Sequence, residues 1–133
     1  MALKDKNHKV EKNKSLLSSF SHAYDGIKSA IVKEKNMHVH LLAAIIVILA
    51  GVYFEISYVE WLVCVILIGL VMGFELINTA IECVVDMITT EENKYAKVAK
   101  DTSAGAVLVI SLIAAIIGII IFLPKVLDFI CNL

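Results

Sequence analysis

Arginine is missing from the sequence, and charged residues of every kind make up only 19 % of its 133 positions. A water-soluble domain carries about 25 % charged and about 45–50 % apolar residues, whereas 59 % of this chain is hydrophobic. A net charge of −1 excludes a nucleic-acid-binding protein with a basic face. The composition therefore indicates an integral membrane protein. Because arginine is absent, any charged side chain that binds a phosphate through a positive charge must be lysine, which lacks the two-pronged guanidinium group.

The sequence predicts neither a secretory signal nor a cysteine framework. Residues 1–15 form a charged tail that is predicted to be flexible, and no small-residue cleavage site follows the first apolar stretch. The remainder, 16–133, has the length of one membrane domain. Because Cys64, Cys83 and Cys131 have no CxxC or CxxH spacing, they predict neither a metal site nor a disulfide framework.

Apolar periodicity predicts an all-α fold. Apolar residues recur at steps of three and four over 16–33, and lysine-rich flanks favour an amphipathic helix on the membrane surface over a packed soluble helix. Apolar segments follow at 39–56, 58–88 and 103–123. Since a span needs about 20 apolar residues, these segments are predicted to be transmembrane helices.

Lysine distribution sets the expected orientation. Lysines precede the first predicted span and lie between the second and the third, as Lys35, Lys94 and Lys97 illustrate, whereas the turn at 55–60 has none. Because lysine-rich loops face the cytoplasm, we expect a multi-pass protein of the cell membrane with its N-terminus inside and its C-terminus outside. Pro124 is predicted to mark the point where the third helix leaves the membrane.

Acidic residues occur where a membrane helix should have none. At about 100° per residue, Asn78, Glu82 and Asp86 lie about −60°, −20° and +20° from Glu75 and form one narrow polar stripe. Counted from Trp61 at about 1.5 Å per residue, Glu75 lies about 21 Å deep in a hydrocarbon layer about 30 Å thick. Apolar residues cover the other faces, which argues against a merely solvated extension. The stripe is therefore predicted to be functional and to straddle the cytoplasmic interface.

Further charged residues are predicted at the same level. Glu34 comes directly before the first span, where it can share a divalent cation with Glu82; Mg²⁺ takes one or two carboxylates plus substrate phosphates. Lys100 and Asp101 come directly before the third span. Ser103 or the threonine before it is predicted to be the N-cap there, and a helix N-terminus favours an anion.

These groups are the parts that phosphoryl transfer needs: carboxylates for a metal, a lysine for phosphates and a buried glutamate to accept a hydroxyl proton. The sequence has no GxxxxGK[ST] or GxGxxG motif, which excludes the P-loop and protein-kinase types. The alternative is a non-enzymatic ion- or proton-conducting subunit. It is disfavoured because the outer halves of the predicted spans offer no polar path. Either protein is expected to be oligomeric, since three spans enclose a cavity poorly.

The run ELINTAIECVVD at 75–86, followed by AKD at 99–101, resembles the signature of the bacterial membrane-embedded diacylglycerol kinase and undecaprenol kinase family. The resemblance covers roughly residues 15–123. It implies a homotrimer of three-span chains behind a surface helix, with sites shared between neighbours. It also implies transfer of phosphate from ATP, with Mg²⁺, to a lipid alcohol at the cytoplasmic interface.

The resemblance also implies roles for individual residues. Glu75 matches the proton acceptor, Asn78 a signature residue that supports the site, and Glu34 and Glu82 the metal ligands. The expected nucleotide contacts are Lys100, Asp101, Glu91, Glu92, Asn93 and His22. Glu92 and Asn93 replace an aromatic residue and a histidine of the Gram-negative enzymes, and His22 replaces an aromatic residue, so adenine recognition is expected to differ.

The acceptor lipid is suggested by the stretch EKNMHVH at 34–40. It is similar to the Gram-positive branch associated with undecaprenol kinases, which favours undecaprenol over diacylglycerol as the acceptor. His38 and His40 are interpreted as interfacial side chains, because residues two apart on a helix point about 200° apart and cannot share a metal ion.

Overall fold

A computed structural model describes residues 16–91 and 93–132. Within these ranges the regular structure is entirely helical, which confirms the all-α prediction: α1 (Leu16–Lys33), α2 (Lys35–Tyr53), α3 (Tyr58–Ile88) and α4 (Lys94–Cys131). The predicted tail at 1–15 and the predicted nucleotide contact Glu92 lie outside the described residues.

Helices α2, α3 and α4 are each long and apolar enough to cross a membrane. Large apolar side chains are exposed on all of them, as expected for helices whose solvent is lipid. The shorter α1 also exposes apolar side chains, with Phe20 74 % and Tyr24 65 % accessible. Its position on a membrane surface stays a prediction.

Local sequence explains where two of the helices begin. Helix α3 starts with a capping box, in which the Ser57 backbone N–H donates to Glu60 Oε2 (2.7 Å) and the Glu60 N–H donates to Ser57 Oγ (3.3 Å). Helix α4 is capped by Asn93, whose Oδ1 accepts from the N–H groups of Tyr95 (2.8 Å) and Ala96 (3.3 Å).

The start of α4 corrects one prediction. Ser103 and the threonine before it are not N-caps, because both lie well inside a helix that begins at Lys94. Asn93 supplies the cap, and the run KYAKVAK that follows is rich in alanine and lysine, which favour helix. At the other end, α4 does not stop at Pro124 but continues to Cys131.

Helix α3 contacts each of the other three helices and forms the centre of the packing. Its buried residues, Cys64, Val71, Glu75 and Asn78, are spaced by seven, four and three and so lie on one face. At the end of the bundle far from Glu75, Lys125 Nζ of α4 lies 3.1 Å from Glu60 Oε1 of α3. This packing places the polar stripe of α3 between α2 and α4.

Candidate active site

Glu75 is the most deeply buried charged side chain among the described residues, with 1 % of its surface accessible. Its Oε2 atom has no hydrogen-bond partner there. The nearest basic group is His40 of α2, whose Nε2 lies 3.9 Å from that oxygen. A buried carboxylate oxygen without a donor is able to accept a proton from a substrate hydroxyl. Sequence reasoning missed His40, because only the packing of α2 on α3 brings it to Glu75.

A chain of hydrogen bonds joins the stripe to α4. The Asn78 amide, 4 % accessible, donates from Nδ2 to Glu82 Oε1 at 3.0 Å. Ser103 of α4 donates from Oγ to Asn78 Oδ1 at 2.7 Å. Of these residues, Ser103 was predicted only as a cap, since the contact depends on the register between two helices.

Glu34 lies at the junction of α1 and α2. It is the N-cap residue of α2, with φ −96° and ψ 119°, but its side chain makes no capping hydrogen bond. Glu34 and Glu82 are both near enough to Glu75 for their charges to act on its carboxylate. The Glu34 side chain, which does not cap α2, therefore has carboxylate oxygens available for a cation.

A polar cleft of about 680 Å³ lies between the end of α3 and the start of α4. Lys100 Nζ lies 2.6 Å from Asp86 Oδ1 at its edge, and Lys97 pairs with Asp101 one helical turn away. Four of the predicted nucleotide contacts line this cleft: Glu91, Asn93, Lys100 and Asp101. Lysines at such a cleft attract phosphate as point charges.

Two predicted contacts differ from the others: Asn93 lines the cleft but caps α4, and His22 does not line it. The Asn93 side-chain oxygen accepts two backbone hydrogen bonds that cap α4, so in this structure it has a structural role. His22 is exposed on α1, and its side chain makes no hydrogen bond or ion pair within 16–91 and 93–132. The structure therefore does not bring His22 to the cleft.

Residues 21–122 match the family model of the prokaryotic diacylglycerol kinases. The chain belongs to this family. Among its relatives, the undecaprenol kinase of Bacillus subtilis (strain 168) is 45 % identical over 120 residues. The matched residues cover 90 % of this chain and 97 % of the relative. The diacylglycerol kinase of Synechocystis is 36 % identical over 115 residues, covering 86 % and 66 %. The diacylglycerol kinase of Escherichia coli K12 is 25 % identical over 101 residues, covering 76 % and 83 %.

Family membership confirms the predicted enzyme class. The relatives are named as kinases of lipid alcohols, so the chain is a phosphotransferase with an alcohol group as acceptor. The prediction of a lipid kinase is thus confirmed over that of a conducting subunit.

Proposed function

We propose that the protein is an undecaprenol kinase that uses ATP at the cytoplasmic surface of the cell membrane. The observation that carries the proposal is Glu75, a fully buried carboxylate with an unpartnered oxygen on a helix apolar enough to cross a bilayer. Undecaprenol is favoured over diacylglycerol because the relative named for it is 45 % identical, against 36 % and 25 % for two diacylglycerol kinases.

In the proposed reaction Glu75 acts as the general base. The lipid hydroxyl loses its proton to Glu75 Oε2 while its oxygen forms a bond to the γ-phosphorus of ATP. The bond from that phosphorus to the β,γ-bridging oxygen breaks, and its electron pair leaves with ADP. His40, 3.9 Å from Oε2, helps to hold the carboxylate in place, and Asn78 supports the neighbouring Glu82.

Lysines of α4 hold the nucleotide in this proposal. Lys100 faces the cleft between α3 and α4, and its charge offsets the charge that develops on the transferred phosphoryl group. Asp101 and the loop residue Glu91 line the same cleft and complete the proposed contacts. No P-loop is needed for this mode of binding, because a lysine and one face of α4 bind the phosphates instead.

Glu34 and Glu82 are the proposed Mg²⁺ ligands. The donor chemistry fits the ion, because both residues offer carboxylate oxygens and the Glu34 side chain is not used for capping. The described residues contain no cluster of three or more protein ligands, and Mg²⁺ prefers one or two carboxylates plus phosphates. When bound, the ion supplies neutralisation of charge on the ATP phosphates.

The proposed assembly is a homotrimer with cytoplasmic N-termini, external C-termini and α1 on the inner membrane surface. The exposed apolar faces of the long helices support contacts with lipid or with neighbouring copies. Sites shared between neighbours are part of the same proposal, since Asp86 of the polar stripe is exposed in a single chain.

The test offers undecaprenol and diacylglycerol in parallel to the purified protein in mixed micelles with MgATP. Because Escherichia coli has a diacylglycerol kinase of its own, the expression host should lack that enzyme, and a Glu75→Gln preparation reports the remaining background. We expect a higher kcat/KM for undecaprenol. Preference for diacylglycerol would instead identify an enzyme that makes phosphatidate, and phosphorylation of neither lipid would refute the proposed function.

A further inference from the structure

We infer that Ser103 is a positioning residue for the divalent-cation site, which it orients through Asn78. The inference rests on the proposed role of Glu82 as a metal ligand. Ser103 does not belong to the stripe on α3; it reaches the stripe from α4, is 8 % accessible, and contacts Asn78 at 2.7 Å.

The donors and acceptors around Asn78 show why a hydroxyl group is needed at position 103. An ionised Glu82 can only accept, so the Asn78 amide must turn its NH₂ group toward Glu82 Oε1, as observed at 3.0 Å. The amide oxygen Oδ1 then faces α4, where it requires a donor because Asn78 is 4 % accessible. Ser103 Oγ is that donor. With alanine at 103, the buried oxygen loses its partner and nothing on α4 selects this orientation of the amide.

The orientation of Asn78 matters for the cation because it fixes Glu82. The amide engages Oε1 and leaves Oε2 for a metal ion. Outer partners that orient a metal ligand commonly change metal affinity or activity by about 10–100-fold when they are removed. Ser103 therefore stands two hydrogen bonds away from the cation and sets the geometry of its ligand.

A purely local role is the competing explanation. Ser103 Oγ also lies 2.9 Å from the carbonyl oxygen of Lys100, the usual back-bond of a serine within its own helix. The hydroxyl has one proton, so it can donate to only one of the two oxygens at a time. A serine that served only its own helix would leave cation affinity unchanged when replaced by alanine.

The experiment measures Mn²⁺ binding without turnover. The full chain in detergent micelles is titrated with Mn²⁺ in the presence of a non-hydrolysable ATP analogue, and free Mn²⁺ is followed by electron paramagnetic resonance. We expect Ser103→Ala to weaken Mn²⁺ binding about tenfold. Ser111→Ala is the matched control, because Ser111 lies on the same helix with a buried Oγ that has no partner in the described chain, and we expect it to bind as the wild type does.

Two further variants separate the possible failures. Ser103→Ala combined with Asn78→Ala should bind no more weakly than Asn78→Ala alone, since the serine acts through the amide. Unchanged affinity in Ser103→Ala, equal loss in Ser111→Ala, or additive losses in the double variant would overturn the inference. Glu82→Gln tests the proposed function: if it too binds Mn²⁺ normally, the assignment of the metal ligand is wrong and the inference falls with it. If only Glu82→Gln is impaired, the inference alone is wrong.

Discussion

Replacing Glu75 by glutamine gives the sharpest test of the proposed chemistry. Glutamine has nearly the same shape but cannot accept the hydroxyl proton. A positioned general base contributes about 10²–10⁴-fold to a rate, which corresponds to about 2.7–5.5 kcal/mol of transition-state free energy at about 1.36 kcal/mol per tenfold. We therefore expect kcat to fall at least about 100-fold.

The free energy of unfolding should behave differently. Wild-type Glu75 is 1 % accessible and keeps one carboxylate oxygen without a hydrogen bond, an arrangement that costs stability. A neutral amide at this position removes that cost in part, so the Glu75→Gln protein should unfold in detergent at the same temperature as the wild type or a higher one. Loss of activity without loss of stability is the expected pair of results.

The assay follows transfer of labelled γ-phosphate to lipid at saturating MgATP, and circular dichroism follows thermal unfolding of the same samples. Glu55→Gln is the matched control, because Glu55 is exposed in the turn between α2 and α3, at the other end of the bundle. If Glu75→Gln kept the wild-type kcat, or lost activity only in proportion to lost folded protein, Glu75 would not be the base.

Two more predictions concern the cleft and the packing. Lys100→Met should lower kcat/KM for ATP about 100-fold by removing a charge from the phosphates. Lys125→Met, which breaks the distant pair with Glu60, should leave kcat/KM for ATP unchanged. If steady-state kinetics showed the same loss of kcat/KM in both variants, Lys100 would have no specific role in binding the nucleotide. Gly51→Ala should reduce the free energy of unfolding by about 1–3 kcal/mol, because the added Cβ would lie 2.8 Å from Cη2 of Trp61. A Cβ added at Gly26 would meet no atom within 4 Å, so Gly26→Ala should not destabilise the protein. Equal thermal unfolding of the two variants would contradict the packing argument.

Sequence periodicity predicted the parts of the site that belong to one helix. Glu75, Asn78 and Glu82 share a face because successive members of the set are three and four residues apart on α3, and helix geometry alone places them there. The family was likewise recognisable from the run at 75–86. Local geometry and a local motif were therefore sufficient to predict the polar stripe and the family.

Contacts between helices could not be predicted from the periodicity of the sequence. The approach of His40 to Glu75 and of Ser103 to Asn78 depends on the rotation and register of α2 and α4 against α3. Periodicity shows which face of a helix is polar but not which residue of another helix meets it. The cap was misplaced for a related reason, since the segment after Asn93 is too polar to read as a span and yet continues α4 without a break.

That unbroken continuation couples the cleft to bilayer thickness. Helix α4 has 38 residues, a length of about 57 Å, against a hydrocarbon layer of about 30 Å. Lys97 and Lys100 are thus rigidly attached to the apolar part of the same helix, and Glu75 is attached in the same way through α3. Hydrophobic mismatch that tilts these helices moves Glu75 and the two lysines together, because each is part of a continuous helix. In vesicles made from phosphatidylcholines of increasing chain length, the turnover rate is expected to pass through a maximum where the membrane holds both at the water boundary.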